Sequence, residues 1–195
     1  VRSLRSGRTH YTSNFGTIEL RRALSRNLDR LYGVSYDPDG EILVTIGASE
    51  ALAIAFAAII DPGDEVILHE PSYVAYVPGI TFAGGVPVLV PTSPEDGWAL
   101  DPGKLEAAIT PRTKALFLGY PCNPTGAVLG AAQLRAIADI AQRHDLIVIS
   151  DEIYETMLYD GRRHRSPAQQ TAAARARTVI VNGVSKSYAM TGWRC

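Results

Sequence analysis

The chain has 195 residues, of which 46% are hydrophobic and 20% are charged, and its formal net charge is −1. This composition is typical of a globular α/β protein, and it excludes the basic surface that nucleic-acid binding requires. No apolar run reaches the roughly 18 residues of a membrane span, and the polar, basic residues 1–10 are not a signal peptide. Cys122 and Cys195 are too few for a disulfide framework or a zinc cluster, which fits a reducing cytoplasm.

The predicted elements alternate between helices and strands. Thr17 is the expected N-cap of a first, amphipathic helix that Gly33 ends and whose inward face consists of Leu20, Leu24, Leu28 and Leu31. Strands are predicted at residues 41–46, 65–69, 86–90, 114–119, 146–150 and 179–181, and helices at 48–60, 72–82, 105–109 and 131–144. Apolar strands separated by helices predict a mainly parallel sheet with helices on both faces, which is a three-layer α/β/α fold.

Ligands of such sheets bind at the carboxyl ends of the strands, and small residues follow the predicted strand 41–46. Gly47, Ala48 and Ser49 open an apolar helix. Free backbone N–H groups and the helix dipole favour a phosphate at such a position, and small side chains let it approach. Ser49 as an ordinary helix N-cap is the alternative interpretation.

A second group of residues follows the predicted strand 114–119. Residues 120–126 read YPCNPTG, and two prolines, an asparagine and a glycine in so short a stretch predict a rigid turn. The side-chain amide of Asn123 is then suited to a positioned hydrogen bond with a ligand. A purely structural turn is the alternative, with Cys122 as a passive small residue.

The predicted strand 146–150 runs into Asp151. A carboxylate at the end of a buried strand is costly unless it is paired. Asp151 therefore either caps a following helix or holds a cation in a ligand site. Tyr154, three residues further on, would lie on the same face of a helical turn.

Lys186 follows the predicted strand 179–181 after the turn signal Asn182-Gly183. A lysine at the end of a buried strand is a candidate covalent catalyst, because a desolvated amine loses its proton more easily and can form a Schiff base. Taken alone, this stretch favours an ordinary surface lysine. The ordered set of motifs along the chain reverses that preference.

Seven motifs together resemble those of one enzyme family, over about Tyr11 to Arg194. They are Tyr11 with Gly16 and Glu19-Leu20-Arg21; Gly47-Ala48-Ser49-Glu50-Ala51; Asp61-Pro62-Gly63-Asp64; Asn123-Pro124-Thr125-Gly126; Ser150-Asp151-Glu152-Ile153-Tyr154; Ser185-Lys186; and Gly192-Trp193-Arg194. Their order is similar to that of class I/II aminotransferases, which are pyridoxal-phosphate enzymes of fold type I. The resemblance implies that fold and pyridoxal 5'-phosphate as the cofactor, and it implies no metal.

The resemblance also implies roles for the residues nearest the cofactor ring. Lys186 would be the Schiff-base lysine and the base that moves the α-proton of the substrate. Asp151 would pair with the pyridine nitrogen and keep it protonated. Tyr154 and Asn123 would donate hydrogen bonds to the phenolic oxygen, and Tyr73 would stack on the ring.

The implied phosphate contacts are Ala48, Ser49 and Arg194, whose guanidinium suits a phosphate dianion. Tyr11 would contact the phosphate bound by the neighbouring subunit, so the resemblance implies a homodimer. Gly183 stands where several relatives carry a hydroxyl residue three positions before the lysine, and the role of Ser185 stays open.

The implied function is the transfer of an α-amino group from an amino acid to a 2-oxo acid. A β-lyase on the same fold and an aminotransferase-like effector domain of a transcriptional regulator are the alternatives. Residues 1–40 would lead into an incomplete cofactor-binding large domain at 41–195, and we expect the chain to be a fragment, without the C-terminal small domain. The remaining conspicuous residues have ordinary interpretations: His69 as structural, and Arg162, Arg163, His164 and Arg165 as a solvated basic turn.

Overall fold

The computed structural model describes residues 1–7 and 9–195, and these form two compact units, Val1–Thr45 and Ile46–Cys195. The first unit contains α1 (Arg2–Arg5) and α2 (Ile18–Tyr32). Thr17 is the N-cap residue of α2, although its side chain makes no capping hydrogen bond, and Gly33 ends the helix in the left-handed conformation with φ 63°. Both ends of this helix therefore agree with the sequence prediction.

The prediction for the inward face of α2 is wrong in part, because Leu24 and Leu28 are half-buried but the other two leucines are not. Leu20 and Leu31 are exposed, whereas Arg21 is buried. The Arg21 guanidinium donates to the carbonyl oxygens of Gly16, Pro38 and Asp39, which satisfy its N–H groups away from water. A buried arginine with carbonyl acceptors leaves no pattern in the sequence, because its partners come from loops rather than from the helix.

The predicted strand at 41–46 is also absent: this stretch forms a turn and irregular backbone. The Val44 N–H donates to the Phe15 carbonyl oxygen at 3.0 Å, in a loop contact. Strand structure needs a neighbouring strand to complete its hydrogen bonds, and an alternating apolar pattern does not supply one. The proposed division of the whole protein at residues 40 and 41 stays a prediction.

The second unit is built around a sheet. The described strands are β1 (Glu65–Glu70), β2 (Val86–Pro91), β3 (Thr113–Gly119), β4 (Ile147–Asp151) and β5 (Thr178–Val181). They are all parallel, in the order β2-β1-β3-β4-β5. The helices are α3 (Gly47–Ile59), α4 (Tyr76–Phe82), α5 (Pro102–Ala107), α6 (Ala131–Arg143), α7 (Ala172–Ala176) and α8 (Val184–Ser187).

Helices cover both faces of this sheet, which confirms the predicted three-layer α/β/α fold. Successive residues of a strand point to opposite faces. Leu116 accordingly packs in one core cluster with Ile137 of α6, and Phe117 packs in the other with Phe56 of α3. The rings of Phe56 and Phe117 have centroids 5.7 Å apart.

Helix α4 begins four residues later than predicted. A helix from residue 72 would place Pro78 in its interior, where proline lacks the N–H that the preceding turn requires. Beginning at Tyr76, the helix holds Pro78 in its first turn, where that N–H has no intrahelical acceptor. Residues 72–75 form an irregular segment instead, and this segment carries Tyr73 at the end of β1.

The strand order reverses beside β1. The chain places β2 on one side of β1 and then crosses to place β3 on the other side. Such a switch opens a crevice at the carboxyl ends of the two strands, where ligands of parallel sheets bind. The residues that follow β1 and β3 are therefore the first place to look for a functional site.

Candidate active site

Predicted site residues follow four neighbouring strands at one edge of the sheet. Tyr73 comes after β1, Asn123 after β3 and Lys186 after β5, while Asp151 is the last residue of β4. Asp151 is in register with Gly119 on one side and Val181 on the other, so these three strands end at the same level. The fold thus collects side chains that are widely separated in sequence at the carboxyl edge of one sheet.

Asp151 is a buried carboxylate with two hydrogen-bond donors. Asp151 is only 6% exposed. The Tyr76 hydroxyl donates to Oδ2 at 2.9 Å, and the Ile153 backbone N–H donates to Oδ1 at 3.2 Å. Burial raises the pKa of Asp151, and these two hydrogen bonds oppose that rise. Such a carboxylate gains from a cationic neighbour, because a positive charge would offset the cost of its burial.

Capping of a following helix was one of the two interpretations of Asp151, and that helix does not form. Residues 153–156 make a turn, in which the Glu155 N–H donates to the Glu152 carbonyl and the Met157 N–H donates to the Tyr154 carbonyl. The Asp151 bond to the Ile153 N–H tightens the start of that turn. The sequence prediction placed Tyr154 on a helical turn, three residues after Asp151. In the structure, Tyr154 lies in a turn that does not continue as a helix.

Lys186 lies near Tyr154. The lysine is half-buried in the short helix α8, and its Nζ is 5.8 Å from the centroid of the Tyr154 ring. The next residue, Ser187, has a buried Oγ with no hydrogen-bond partner among the residues that the structure describes. Two of the predicted catalytic residues are thus brought together, beside a polar atom that sequence reasoning did not single out.

The predicted phosphate contacts also meet. Helix α3 begins at Gly47, so Ala48 and Ser49 lie in its first turn, where backbone N–H groups lack intrahelical acceptors. A Cβ added to Gly47 would lie only 2.6 Å from Nη2 of Arg194. The guanidinium therefore lies against the start of α3, and the two provide a positive, donor-rich cup for an anion.

Ser49 is not the N-cap of α3, so the alternative interpretation of that residue is wrong. The N-cap residue is Ile46, and its backbone N–H is bound by the Glu50 carboxylate. The side chain of the first turn that reaches back is thus an acidic one, which is the favourable charge at a helix N-terminus. Ser49 is exposed.

Asn123 lies in the tight turn that the sequence predicted. The Cys122 N–H donates to the Ala127 carbonyl at 2.9 Å, and the Gly126 N–H donates to the Cys122 carbonyl at 2.7 Å. Gly126 has φ 73°, a conformation that glycine adopts without steric cost. Asn123 is exposed at this turn, while Cys122 is buried as expected.

Tyr73 is partly exposed and packs edge-on against Tyr76. Their ring centroids are 5.5 Å apart and the rings are inclined by 77°. Tyr11 belongs to the other compact unit, where it is exposed in the segment before α2. Its role across a subunit interface stays a prediction, as do the individual roles of the other site residues.

His69 has the structural role that was expected. It is fully buried at the end of β1, where the Gly119 N–H donates to Nε2 and Nδ1 contacts the Pro71 carbonyl at 3.1 Å. Because Nε2 accepts, Nδ1 carries the proton, and burial lowers the pKa of His69 to about 4. A neutral imidazole thus joins β1, the start of the Tyr73 segment and β3.

Sequence reasoning missed a buried polar cluster around Glu152. Glu152 Oε1 accepts from the hydroxyls of Ser150 at 3.0 Å and Ser166 at 2.6 Å, and Oε2 lies 2.7 Å from Nε2 of His164. His164 was predicted to lie in a solvated basic turn, and that prediction is wrong, because its side chain is almost fully buried. Because its three neighbours are arginines, nothing in the local sequence predicts that the His164 side chain is buried.

Ligand atoms of Glu152, Glu155 and His164 lie within 4.8 Å of one another, so this group could hold a metal ion. Both oxygens of Glu152 already accept hydrogen bonds, which explains their burial without an ion. The prediction that the site uses no metal stays a prediction. No helix in the described part of the chain combines the length and apolar character of a bilayer crossing.

Comparison with known proteins identifies the family. The family model described as "Aminotransferase class I and II" matches residues 2–195, and the chain therefore belongs to that family. Pyridoxal 5'-phosphate is accordingly the expected cofactor, as the motifs implied.

Individual relatives are similar along the whole chain. A probable aspartate/prephenate aminotransferase of Thermus aquaticus is 48% identical, over 99% of this chain and 49% of its own length. An aspartate aminotransferase of Pyrococcus abyssi is 45% identical, over 98% and 49%. The solved structure of an N-succinyldiaminopimelate aminotransferase from Mycobacterium tuberculosis superposes with a TM-score of 0.93 at 43% identity, over 99% of this chain and 50% of that one. The chain thus spans about half the length of the curated relatives it matches.

The residues at the sheet edge fit this cofactor. A phosphate needs donors and positive charge, and the α3 N-terminus with Arg194 supplies both beside a Gly47 that no side chain could replace without displacing the guanidinium. A pyridinium nitrogen needs a nearby anion, and Asp151 is a buried carboxylate. An aldehyde needs an amine, and Lys186 supplies one.

Proposed function

We propose that the protein containing this chain is a pyridoxal-phosphate-dependent aminotransferase, which moves an α-amino group from an amino acid to a 2-oxo acid. The observation that carries this proposal is the buried carboxylate of Asp151 at the end of β4, in a sheet whose neighbouring strand leads to Lys186. Family membership over residues 2–195 supports it. Because the chain spans half of its relatives, the activity belongs to the whole protein.

Asp151 would keep the ring nitrogen of the bound cofactor protonated. Its two donors, the Tyr76 hydroxyl and the Ile153 N–H, stabilise the charged carboxylate against the cost of burial. When bound, the cofactor supplies a protonated ring that withdraws electrons from the Cα of the substrate. A neutral residue in place of Asp151 would leave that proton without its counter-charge.

Lys186 would hold the cofactor through its side-chain amine, and it would be the base that moves the proton of the substrate Cα. The residue is half-buried in α8, and its side-chain amine is the nucleophile that this chemistry requires. Tyr154, whose ring centroid lies 5.8 Å from the lysine Nζ, and Asn123 would donate hydrogen bonds to the phenolic oxygen. Tyr73 would pack on the cofactor ring, and its own ring makes an edge-on contact with Tyr76.

The phosphate would be held by the backbone of Ala48 and Ser49 and by the Arg194 guanidinium. This contact fixes the cofactor without taking part in proton transfer, so it contributes affinity and orientation. Two further properties belong to the proposal: a homodimer in which Tyr11 reaches the phosphate of the neighbouring subunit, and a cytoplasmic location. The exposure of Tyr11 supports the contact between subunits. The two free cysteines support the reducing environment of the cytoplasm.

The subunit arrangement has its own test. Lys186→Ala subunits mixed with Tyr11→Phe subunits form heterodimers in which one site keeps Lys186 and receives an intact Tyr11. We expect cofactor affinity at that site to return to the wild-type value. Heterodimers that are verified by mass and restore nothing would refute a Tyr11 contact in trans.

The activity is tested with the full gene product that contains this chain, loaded with pyridoxal phosphate. It is incubated with 2-oxoglutarate and a panel of amino acids that includes aspartate and phenylalanine, and glutamate is measured against pyruvate and ammonia. We expect glutamate, in proportion to the 2-oxo acid formed from the donor. Pyruvate with ammonia would indicate a β-lyase instead, and cofactor binding without turnover of any donor would favour an effector domain.

A further inference from the structure

Tyr76 contacts Asp151 although 75 positions separate them in the chain. It is the first residue of α4 and is only 6% exposed. Its hydroxyl donates to Asp151 Oδ2 at 2.9 Å, and its ring packs on Phe117 with centroids 4.3 Å apart. Burial and the Asp151 charge both raise the pKa of Tyr76, so the hydroxyl keeps its proton and acts as a donor.

The space for this tyrosine comes from Gly119. A Cβ on Gly119 would lie 3.0 Å from both Cε2 and the hydroxyl oxygen of Tyr76. Gly119 is the last residue of β3 and is paired in register with Asp151 of β4. A side chain at this position would therefore push the Tyr76 ring away from the carboxylate that it binds.

The Asp151 carboxylate is held at both oxygens. Tyr76 binds Oδ2, and the Ile153 N–H binds Oδ1. Two donors in different directions fix the plane of the carboxylate, which a single donor would leave free to rotate. Each oxygen keeps a second lone pair, so the group can still accept a hydrogen bond from a ligand.

Tyr76 also touches the aromatic residue at the end of β1. Its ring meets Tyr73 edge-on at 5.5 Å between centroids. Tyr76 thus contacts both Asp151, which the proposed function assigns to the cofactor nitrogen, and Tyr73, which it assigns to the face of the cofactor ring. A shift of Tyr76 would disturb the carboxylate and the stacking residue together.

We propose that Tyr76 is a positioning residue, which orients Asp151 toward the cofactor ring nitrogen and holds it in its charged form, and that Gly119 is small to admit it. This inference rests on the proposed function. Tyr76 does not touch the reacting atoms in this scheme; it acts through Asp151. Its loss should therefore change the protonation of the ring nitrogen more than it changes the binding of the phosphate.

The test uses the full gene product, with cofactor that is isotope-labelled at the ring nitrogen and observed by NMR as a function of pH. In Tyr76→Phe, we expect the pH midpoint at which the ring nitrogen loses its proton to fall by about one to two units, because the carboxylate is no longer fixed at Oδ2 and its charge is displaced from the nitrogen. We expect kcat to fall by roughly tenfold or more with little change in KM.

Tyr120→Phe is the matched control. Tyr120 is equally buried, and its hydroxyl donates to the Trp98 carbonyl at 3.2 Å in the other core cluster. We expect this variant to keep the wild-type midpoint. An equal fall in both variants would overturn the proposal, since it would reflect the loss of any buried tyrosine hydroxyl.

Gly119→Ala gives an independent reading, and it also serves if Tyr76→Phe fails to fold. It keeps the hydroxyl but moves it, so we expect the midpoint to fall in the same direction. A folded variant of either kind with the wild-type midpoint overturns the role of Tyr76. If the wild-type protein takes up no pyridoxal phosphate, the proposed function fails and this inference fails with it; if it transfers amino groups normally, only the role of Tyr76 is at stake.

Discussion

The Arg194 guanidinium occupies the place where a side chain on Gly47 would begin. A Cβ at Gly47 would lie 2.6 Å from Arg194 Nη2 and 3.1 Å from Cζ, and Gly47 has φ 74°. A residue near the end of the described chain thus rests against the first turn of α3. This contact makes Gly47 as important for a phosphate site as the residues that donate to the phosphate.

We therefore expect Gly47→Ala to weaken cofactor binding by roughly tenfold or more, because the methyl group displaces a charged hydrogen-bond donor. The measurement is the equilibrium affinity of the apoprotein for pyridoxal phosphate. Gly63→Ala is the matched control: Gly63 also has a positive φ, 92°, but a Cβ there meets no atom within 4 Å. Equal losses in the two variants would show that backbone strain, and not the guanidinium, is responsible.

Replacement of Asp151 should separate binding from proton transfer. We expect Asp151→Ala to retain cofactor through the phosphate contacts but to abstract the substrate α-proton at least about a hundredfold more slowly, since a preorganised charge is lost. Single-turnover absorbance measurements with a saturating amino donor give this rate. Asp139→Ala, which removes an exposed carboxylate from a surface ion pair, is the control. A wild-type rate in Asp151→Ala would limit Asp151 to tightening the turn that follows it.

The buried cluster around Glu152 should be a stability determinant. Glu152→Gln replaces one acceptor oxygen by an NH2 group. That group faces a serine hydroxyl or the His164 ring, and it cannot accept the hydrogen bond that the oxygen accepted. We expect the free energy of unfolding to fall by about 3 kcal/mol, in the range found when a buried pair is broken. Glu106→Gln should cost much less, because Glu106 pairs with Arg143 and His144 at the surface, where solvent screens the charges. Urea unfolding compares the two, and similar costs would show that Glu152 is not buried in solution.

His69 predicts a pH dependence of stability. Burial lowers its pKa in the folded state to about 4, from an ordinary value of 6.5. The folded state therefore binds this proton less tightly than the unfolded state, so the contribution of His69 is fully present above pH 6.5 and is lost as pH falls from 6.5 toward 4.

The loss over this range should approach about 3 kcal/mol, measured as the difference in unfolding free energy between wild type and His69→Gln at each pH. The variant lacks the titrating group, and the difference removes contributions that both proteins share. A difference that does not vary with pH would mean that His69 is solvated in the folded protein.

The five strands of the second unit and its helices α3 to α6 followed from the sequence, because parallel strands buried on both faces are continuously apolar, whereas the short helices α7 and α8 were not predicted. The carboxyl-edge position of Asp151 and Lys186 followed from that order. The same reasoning predicted a strand at residues 41–46 and was wrong there, since an apolar pattern does not reveal whether a partner strand exists. The predicted start of α4 was wrong because Pro78 is compatible with the first turn of a helix and not with its interior.

The contacts around Asp151 lie beyond such reasoning for a different reason. Tyr76 reaches the carboxylate only because α4 packs over β3 and because Gly119 leaves room for its ring. His164 turns toward Glu152 from a loop with no periodic pattern. These pairings depend on tertiary packing, which single-sequence patterns do not encode.

Lys186 is the residue proposed to carry the cofactor, and a chemical experiment can identify the lysine that does so. The full gene product is loaded with pyridoxal phosphate, reduced with borohydride and digested, and the modified peptide is sequenced by mass spectrometry. Lys104 and Lys114, the other two lysines of this chain, serve as internal controls. We predict a reduced cofactor adduct on Lys186, and the loss of both that adduct and the visible absorption in Lys186→Ala. A stoichiometric adduct on another lysine, with Lys186 unmodified, would contradict the account.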